Sequence, residues 1–160
     1  MKKIFLPLLI CACFQVQAQS QTLIDRLEQR LYELPDVSFK ALEAPRGAKA
    51  AYELRIRQPI DHTNPEKGYF HQRVYLTHVG YKQPMVMVTE GYARGRNRIT
   101  EVATLLRANQ LDIEHRFFGA SMPDPFDYQY LTLEQATADL HHINEIFRQL
   151  YEGQRVWSWV

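Results

Sequence analysis

Two short polar segments, residues 90–92 and 114–116, carry the side chains best suited to chemistry in this sequence. Each directly follows a short apolar run that is typical of a buried strand. Because the carboxyl ends of parallel strands open at the same edge of a sheet, we expect these segments to meet there. This edge of the sheet would then bring together the carboxylates of Glu90 and Glu114 and the guanidinium of Arg116.

Charged groups at the edge where parallel strands end have two possible roles. In a binding role, one carboxylate receives a substrate cation while Arg116 fixes the other carboxylate. In a structural role, a Glu–Arg pair braces two loops, because an isolated buried charge costs several kcal/mol. Both roles can coexist on different residues, and the sequence leaves them open.

Other residue types that carry chemistry are poorly placed. Ser121 lies in Gly-Ala-Ser-Met-Pro, but a nucleophile elbow needs a second glycine where Pro123 stands, so we interpret Ser121 as a turn residue. His141 and His142 are adjacent on a predicted helix and point to different faces. The other histidines show no metal-ligand spacing. No metal and no cofactor are expected.

The N-terminus resembles an export signal. Lys2 and Lys3 precede a short apolar run, and small residues lead to a cleavage site after Ala18, so residues 1–18 are predicted to be a signal peptide. The run is too short to span a bilayer, and no membrane span is expected in the mature chain. The mature chain without residues 1–18 has a net charge of about −1 and no basic block, which argues against a nucleic-acid partner. The expected location is periplasmic or extracellular.

The remaining residues predict the elements that position the two polar segments. Alternating apolar and polar residues at 51–58 and 69–79 predict two half-buried strands that form an antiparallel pair. Apolar stripes with helical spacing, capped by Thr22, Thr100 and Thr132, predict helices. The predicted elements are helix 22–34, connector 36–50, strands 51–58, 69–79 and 84–89, helix 98–108 with Asn109 as its left-handed end, strand 111–114, and a long helix from 132 that Gly153 stops. This order predicts an α/β fold whose mixed sheet begins with antiparallel strands, continues with parallel strands and carries helices on both faces.

Four motifs within residues 50–153 go beyond this pattern. They are Gln58-Pro59-Ile60-Asp61-His62 with the residues up to Leu76, Thr89-Glu90-Gly91-Tyr92, Glu114-His115-Arg116-Phe117-Phe118-Gly119 with Ser121 and Pro123, and Tyr130-Leu131-Thr132 with Gln135, Ala136 and Asp139. Together they resemble the secreted bacterial tripeptidyl aminopeptidase family, serine peptidases of the α/β-hydrolase fold. The first two motifs are specific, whereas the last two are shared with a sister family of proline-specific carboxypeptidases and dipeptidyl peptidases. The resemblance implies the N-terminal half of an α/β-hydrolase fold.

The resemblance also implies roles for the two polar segments. This family hydrolyses short peptides from a free N-terminus with a Ser–Asp–His triad, so the expected partners are peptides with a free N-terminus. One oxyanion donor in this fold comes from the loop after the third strand, which implies a backbone N–H of Gly91 or Tyr92. Glu90 or Glu114 would pair with the α-ammonium group of the substrate, and Arg116 would fix the other carboxylate.

The nucleophile motif of the family is not found in these 160 residues. Because the chain order of the fold is Ser, then Asp, then His, we expect the triad beyond Val160 and an N-terminal fragment that is inactive by itself. Its expected parts are the signal peptide 1–18, a helix and connector 19–50 and a partial hydrolase domain 51–160. The strand at Leu111 would then border a missing strand and leave an apolar edge unpaired. The alternatives are a proline-specific dipeptidyl peptidase or carboxypeptidase relative and a non-catalytic fragment that binds peptides.

Overall fold

The computed structural model describes residues 26–89 and 91–151 with their side chains and residues 156–159 as backbone. The predictions for the signal peptide and for the start of the first helix lie outside these residues. The strands are Val37–Leu42 (β1), Ala50–Pro59 (β2), Tyr69–His78 (β3), Met85–Thr89 (β4), Asn109–Ile113 (β5) and Val156–Trp159 (β6), and the helices are residues 26–32 (α1), Glu101–Leu106 (α2) and Leu133–Leu150 (α3). None of the described helices is long and apolar enough to cross a bilayer.

The six strands form one mixed sheet in the order β1-β2-β3-β5-β4-β6. β2 is antiparallel to β1 and β3, and β3 is antiparallel to β5, whereas β4 is parallel to β5 and β6. The prediction of antiparallel strands followed by parallel strands is therefore confirmed. Because Thr89 pairs with Ile113 at the last positions of β4 and β5, both strands open at the same edge of the sheet.

Helices cover both faces of this sheet. Met87 of β4 lies in the larger core with Leu27 of α1 and Phe147 of α3. The next residue, Val88, points to the opposite face and packs in a smaller core with Ala103 of α2. Burial of each large apolar side chain contributes about 1.5–3 kcal/mol, so the face covered by α1 and α3 supplies most of the apolar stabilisation.

Residues 36–50 contain a strand where the sequence predicts a connector. β1 pairs with β2 along its whole length. Its Phe39 ring packs edge-on against Tyr32 and Tyr52, with ring centroids 4.6 and 5.5 Å away. The apolar residues Val37, Phe39 and Ala41 alternate with Ser38 and Lys40, but this run is shorter than those of β2 and β3 and its residues are exposed or half-buried.

The strand that contains Leu111 lies inside the sheet. β5 pairs with β3 on one side and with β4 on the other, and all five of its residues are buried. The predicted unpaired edge at this strand is wrong, because β3 folds back beside β5 as its second partner. The later strand β6 pairs with β4, on the side away from β5.

The ends of α2 and α3 show two confirmed caps and one correction. Thr100 caps α2, since its Oγ1 accepts a hydrogen bond from the Ala103 N–H at 3.2 Å. Thr132 caps α3, since its Oγ1 accepts a hydrogen bond from the Gln135 N–H at 3.3 Å. α2 ends at Arg107, which takes the left-handed conformation with φ of +49°, and not at Asn109 as predicted. Asn109 instead begins β5, and its buried amide bonds to backbone groups of the 79–84 turn.

Candidate functional site

The two polar segments lie against each other at the edge where β4 and β5 end. The His115 N–H donates a hydrogen bond to the carbonyl oxygen of Tyr92 at 3.3 Å. The Tyr92 ring meets the Phe118 ring edge to face, with 5.8 Å between centroids. The predicted convergence of the two segments is therefore confirmed, while Glu90 itself lies outside the described residues.

Glu114 is fully buried at the base of this edge. Its Oε1 accepts hydrogen bonds from the Arg73 guanidinium at 2.5 Å and from the Arg94 backbone N–H at 2.7 Å. Its Oε2 accepts from the Ala120 N–H at 3.0 Å and from the Ser121 hydroxyl at 2.7 Å. A carboxylate with one opposite charge and hydrogen bonds on both oxygens can be buried without a ligand. This geometry favours the bracing role for Glu114.

The turn after β5 is shaped around the same carboxylate. Gly119 has φ of +52°, and a Cβ at this position would collide with Glu114 Oε1, so a side chain is excluded for two reasons. Ser121 is buried, and its Oγ donates to Glu114 while accepting the Arg73 N–H at 2.9 Å. The interpretation of Ser121 as a turn residue agrees with this position.

Arg116 is also fully buried, and it binds a different carboxylate from the one predicted. Its Nε and Nη2 donate to the two oxygens of Asp139 at 2.8 and 3.2 Å. Its other three N–H groups donate to the backbone carbonyls of Pro59, Ile60 and Tyr130. All five donors of the guanidinium are thus engaged.

The prediction that Arg116 fixes one of the two glutamates is corrected by this arrangement. The chain turns directly after β5, so Glu114 points toward β3 and the 91–94 loop while Arg116 points toward α3. Arg116 therefore joins three segments of the chain, and its guanidinium has no exposed surface for a ligand.

A second set of contacts fastens the 60–64 loop to α3. His62 Nε2 lies 2.7 Å from Asp139 Oδ1, and the His62 N–H donates to Gln135 Oε1 at 2.8 Å. The Gln135 amide donates to Asp61 at 2.9 Å. The pKa of Asp61 is lowered to about 2, mainly by the hydrogen bond from the Thr63 hydroxyl. The residues of the first and last motifs therefore meet in one cluster.

Two buried glutamines connect this cluster to Glu114. Gln72 donates to the Glu114 carbonyl at 2.8 Å, and Gln58 donates to Gln72 at 2.9 Å. The Oε1 of Gln58 accepts a hydrogen bond from Nδ1 of His142 at 2.8 Å. Burial lowers the pKa of His142, and the nearby His62 lowers it further. This network was not predicted from the sequence, although both glutamines stand at inward positions of alternating strands.

The loop between β4 and α2 has no regular structure, but buried side chains hold it to β5. The Arg94 Nε lies 2.6 Å from Asp112 Oδ1, and the two side chains are 2% and 1% exposed. The Thr100 N–H donates to the Gln110 side chain at 2.9 Å. Arg94 was not singled out by the sequence, because it follows no strand directly and belongs to none of the four motifs.

Two backbone donors remain available at the start of this loop. Among the described residues, no hydrogen-bond acceptor is found for the N–H of Gly91 or of Tyr92. Both residues are exposed, and the Tyr92 carbonyl is fixed by its bond to His115. Exposed N–H groups on a braced loop can stabilise a negative charge that develops on a bound molecule.

The titratable groups around the site form ion pairs and not a ligand cluster. Within residues 26–89 and 91–151, no group of three or more His, Cys, Asp or Glu side chains is arranged to hold a metal ion. These residues offer hydrogen bonding from the loop amides and charge pairing from carboxylates.

The chain is similar to curated peptidases. It is 33% identical over 126 residues to the prolyl tri/tetrapeptidyl aminopeptidase of Streptomyces mobaraensis, covering 78% of this chain and 26% of that protein. It is 34% identical over 103 residues to serine protease vicPb of Bipolaris victoriae, covering 54% of this chain and 19% of that protein. The chain thus spans about a quarter or less of the length of these relatives.

A family model matches nearly the whole chain. The PS-10 peptidase S37 model covers residues 21–159. These residues include all four motifs, the buried clusters around Glu114 and around Arg116, and the loop that carries Gly91 and Tyr92. The resemblance to tripeptidyl aminopeptidases that the motifs indicate is confirmed by this match and by the Streptomyces relative. The chain belongs to the PS-10 peptidase S37 family.

Proposed function

We propose that these residues form the N-terminal part of a secreted serine aminopeptidase that releases tripeptides from peptides with a free N-terminus. The observation that carries the proposal is the pair of backbone N–H groups at Gly91 and Tyr92, for which no acceptor is found among the described residues. In the proposed α/β-hydrolase fold, the loop at this position supplies an oxyanion donor. One such donor accounts for about 2.7–4 kcal/mol of transition-state stabilisation.

Recognition of the free N-terminus is assigned to Glu90. Of the two carboxylates predicted for this role, Glu114 is buried and accepts two hydrogen bonds on each oxygen. A charge-assisted bond between Glu90 and an α-ammonium group contributes about 1.5–3 kcal/mol. Free peptides are then preferred over acetylated peptides by roughly tenfold to a hundredfold.

The catalytic Ser, Asp and His belong, in this proposal, to residues that follow Val160 in the complete enzyme. Two observations support it: these 160 residues contain no Gly-x-Ser-x-Gly, and the chain matches about a quarter of the Streptomyces relative. The 160-residue chain alone then turns over no peptide. Residues 1–18 direct export to the periplasm or beyond, and residues 19–50 precede the partial hydrolase domain at 51–160.

A preference for proline at the cleaved bond is a second candidate. The Streptomyces relative is a prolyl tri/tetrapeptidyl aminopeptidase, which favours this preference. Comparison of Ala-Ala-Pro-p-nitroanilide with Ala-Ala-Ala-p-nitroanilide measures this preference. Equal kcat/KM for the two substrates would exclude a dependence on proline.

The test of the main proposal uses the reading frame that contains this chain, expressed with the coding sequence downstream of Val160. We expect it to cleave free Ala-Ala-Pro-p-nitroanilide and to leave the N-acetyl form nearly untouched. Equal turnover of the free and acetylated peptides would contradict the proposal that Glu90 binds the α-ammonium group. A downstream sequence without Gly-x-Ser-x-Gly in any frame would contradict the placement of the triad.

A matched pair of variants tests the loop amide itself. Gly91→Pro removes the N–H, whereas Gly91→Ala keeps it, and a Cβ at this position meets no atom within 4 Å. Gly91→Pro is expected to lower kcat by about 10²–10³-fold, while Gly91→Ala stays within a few-fold of wild type. Equal effects of the two substitutions would show that the residue 91 amide does not bind the oxyanion.

A further inference from the structure

A cavity of about 220 Å³ lies between α2, the end of β3 and the turn at residues 46–48. Its wall is largely apolar and includes Val79, Ile99, Ala103 and Ala108. No residue of the two polar segments lines it, so the cavity is separate from the proposed peptidase site. It is open to solvent, because several of its lining residues are exposed on the surface.

Two arginines flank this apolar wall. Arg46 and Arg107 both line the cavity, and both residues are exposed. Within the described part of the chain, neither side chain has a carboxylate partner or a hydrogen bond. This distinguishes them from Arg55, Arg73 and Arg116, which are all paired. An apolar wall flanked by two cations that have no partner in the described part of the chain is complementary to an anion with an apolar body.

We propose that this cavity binds a small organic monocarboxylate whose body is one aromatic ring or a branched aliphatic chain. An apolar cavity of about 150 Å³ is large enough to bind benzene. The larger volume here therefore accommodates a ring with a short linker, while the carboxylate stays at the opening beside Arg46 and Arg107. Guanidinium groups suit this role because their fork of donors matches the two carboxylate oxygens.

Two sources supply this ligand chemistry. One is a free small acid, and the other is the C-terminal residue of a peptide, which also carries a carboxylate close to an apolar side chain. The shared chemistry is probed with 3-phenylpropionate for the free acid and with N-acetyl-Gly-Phe for the peptide terminus. Tighter binding of one probe than of the other identifies the source, and either result supports the site.

The test is an NMR titration of the 160-residue chain, followed through backbone amide shifts. For 3-phenylpropionate we expect a dissociation constant of about 1 mM, with shifts concentrated at Val79, Ala103 and Ala108. Arg46→Gln and Arg107→Asn are each expected to weaken binding about tenfold. Asparagine is chosen at 107 because it tolerates the left-handed conformation found there.

Two variants and one neutral ligand serve as controls for this site. Arg96→Gln removes an exposed arginine that does not line the cavity, and it should leave the affinity within twofold. Ala48→Leu fills the cavity from a half-buried position and should abolish binding in a chain that keeps its amide spectrum. Equal binding of neutral 3-phenylpropanamide, shifts scattered over other surfaces, or no shifts at all would overturn the proposal. If the amide spectrum of the wild-type chain is that of an unfolded protein, the chain forms no such cavity and the proposal is wrong.

Discussion

Replacing Glu114 with glutamine tests whether one buried carboxylate holds the candidate site together. Glutamine keeps the size of the side chain but supplies one oxygen, and it places an NH₂ group where two donors point. If the NH₂ faces Ala120 and Ser121, the Ser121 hydroxyl can rotate and accept, but the Ala120 N–H is left unpaired. If it faces Arg73, the guanidinium meets a donor. In both orientations Arg73 loses its opposite charge in a buried setting.

The expected cost follows from these losses. Breaking a buried ion pair by removing one charge costs about 3–5 kcal/mol. We therefore expect Glu114→Gln to lower the free energy of unfolding by about 3–5 kcal/mol. Glu53→Gln is the matched control, because Glu53 pairs with Arg55 at 2.8 Å with side chains 23% and 33% exposed. Such a partly exposed pair contributes up to about 1 kcal/mol.

Urea unfolding of the 160-residue chain, followed by circular dichroism, measures both variants. Amide hydrogen exchange adds a local readout, since Glu114→Gln should speed exchange at the Arg94 and Ala120 N–H groups that it leaves without a carboxylate. A cost below about 1 kcal/mol, equal to that of Glu53→Gln, would refute the bracing role. Unchanged exchange at both amides in a folded variant would refute it as well.

Three further predictions concern other parts of the fold. Gly119→Ala should cost about 1–3 kcal/mol more than Gly47→Ala in urea unfolding, because both residues have positive φ but only the Cβ at 119 meets a neighbour; equal costs would contradict this. Asp139→Asn should cost about 3–5 kcal/mol, since it leaves the buried Arg116 without its carboxylate, and a variant that unfolds at the wild-type urea concentration would refute the estimate. Burial lowers the pKa of His78 to about 4, so the stability that the neutral His78 ring contributes is fully present above pH 6.5 and is lost as pH falls toward 4, by about 2 kcal/mol at pH 5. His78→Gln should remove that loss from the pH dependence of unfolding, and a variant with the wild-type slope would exclude His78 as its source.

The parts of the fold with strong local patterns could be predicted from the sequence. β2 and β3 alternate cleanly between apolar and polar residues, and α3 begins at a Thr-x-x-Gln cap. The convergence of the segments after β4 and β5 follows from the rule that parallel strands open at one edge. β1 was not predicted, because its alternation of Val37, Phe39 and Ala41 with Ser38 and Lys40 is short and residues 36–50 as a whole show no clean period.

The pairing of charges could not be predicted, because it depends on contacts between distant parts of the chain. Arg73 and Glu114 are 41 positions apart, and Arg116 and Asp139 are 23 positions apart. The sequence shows which charges exist, but several partners were possible for each of them. Gln58 offered a local signal that was overlooked, since a polar residue in phase with the apolar face of a strand must find a buried partner.

The two buried clusters explain why the exposed part of the site is small. Glu114 joins β3, the 91–94 loop and the 119–121 turn, whereas Arg116 joins the end of β2, the segment before α3 and α3 itself. Because both side chains are bound within the fold, the described residues offer a ligand at this edge the Gly91 and Tyr92 amides and the Tyr92 ring, which is 71% exposed. A group that binds a developing charge works best when it needs no rearrangement. The buried charges therefore serve the proposed function indirectly, because they fix the loop from which those amides project.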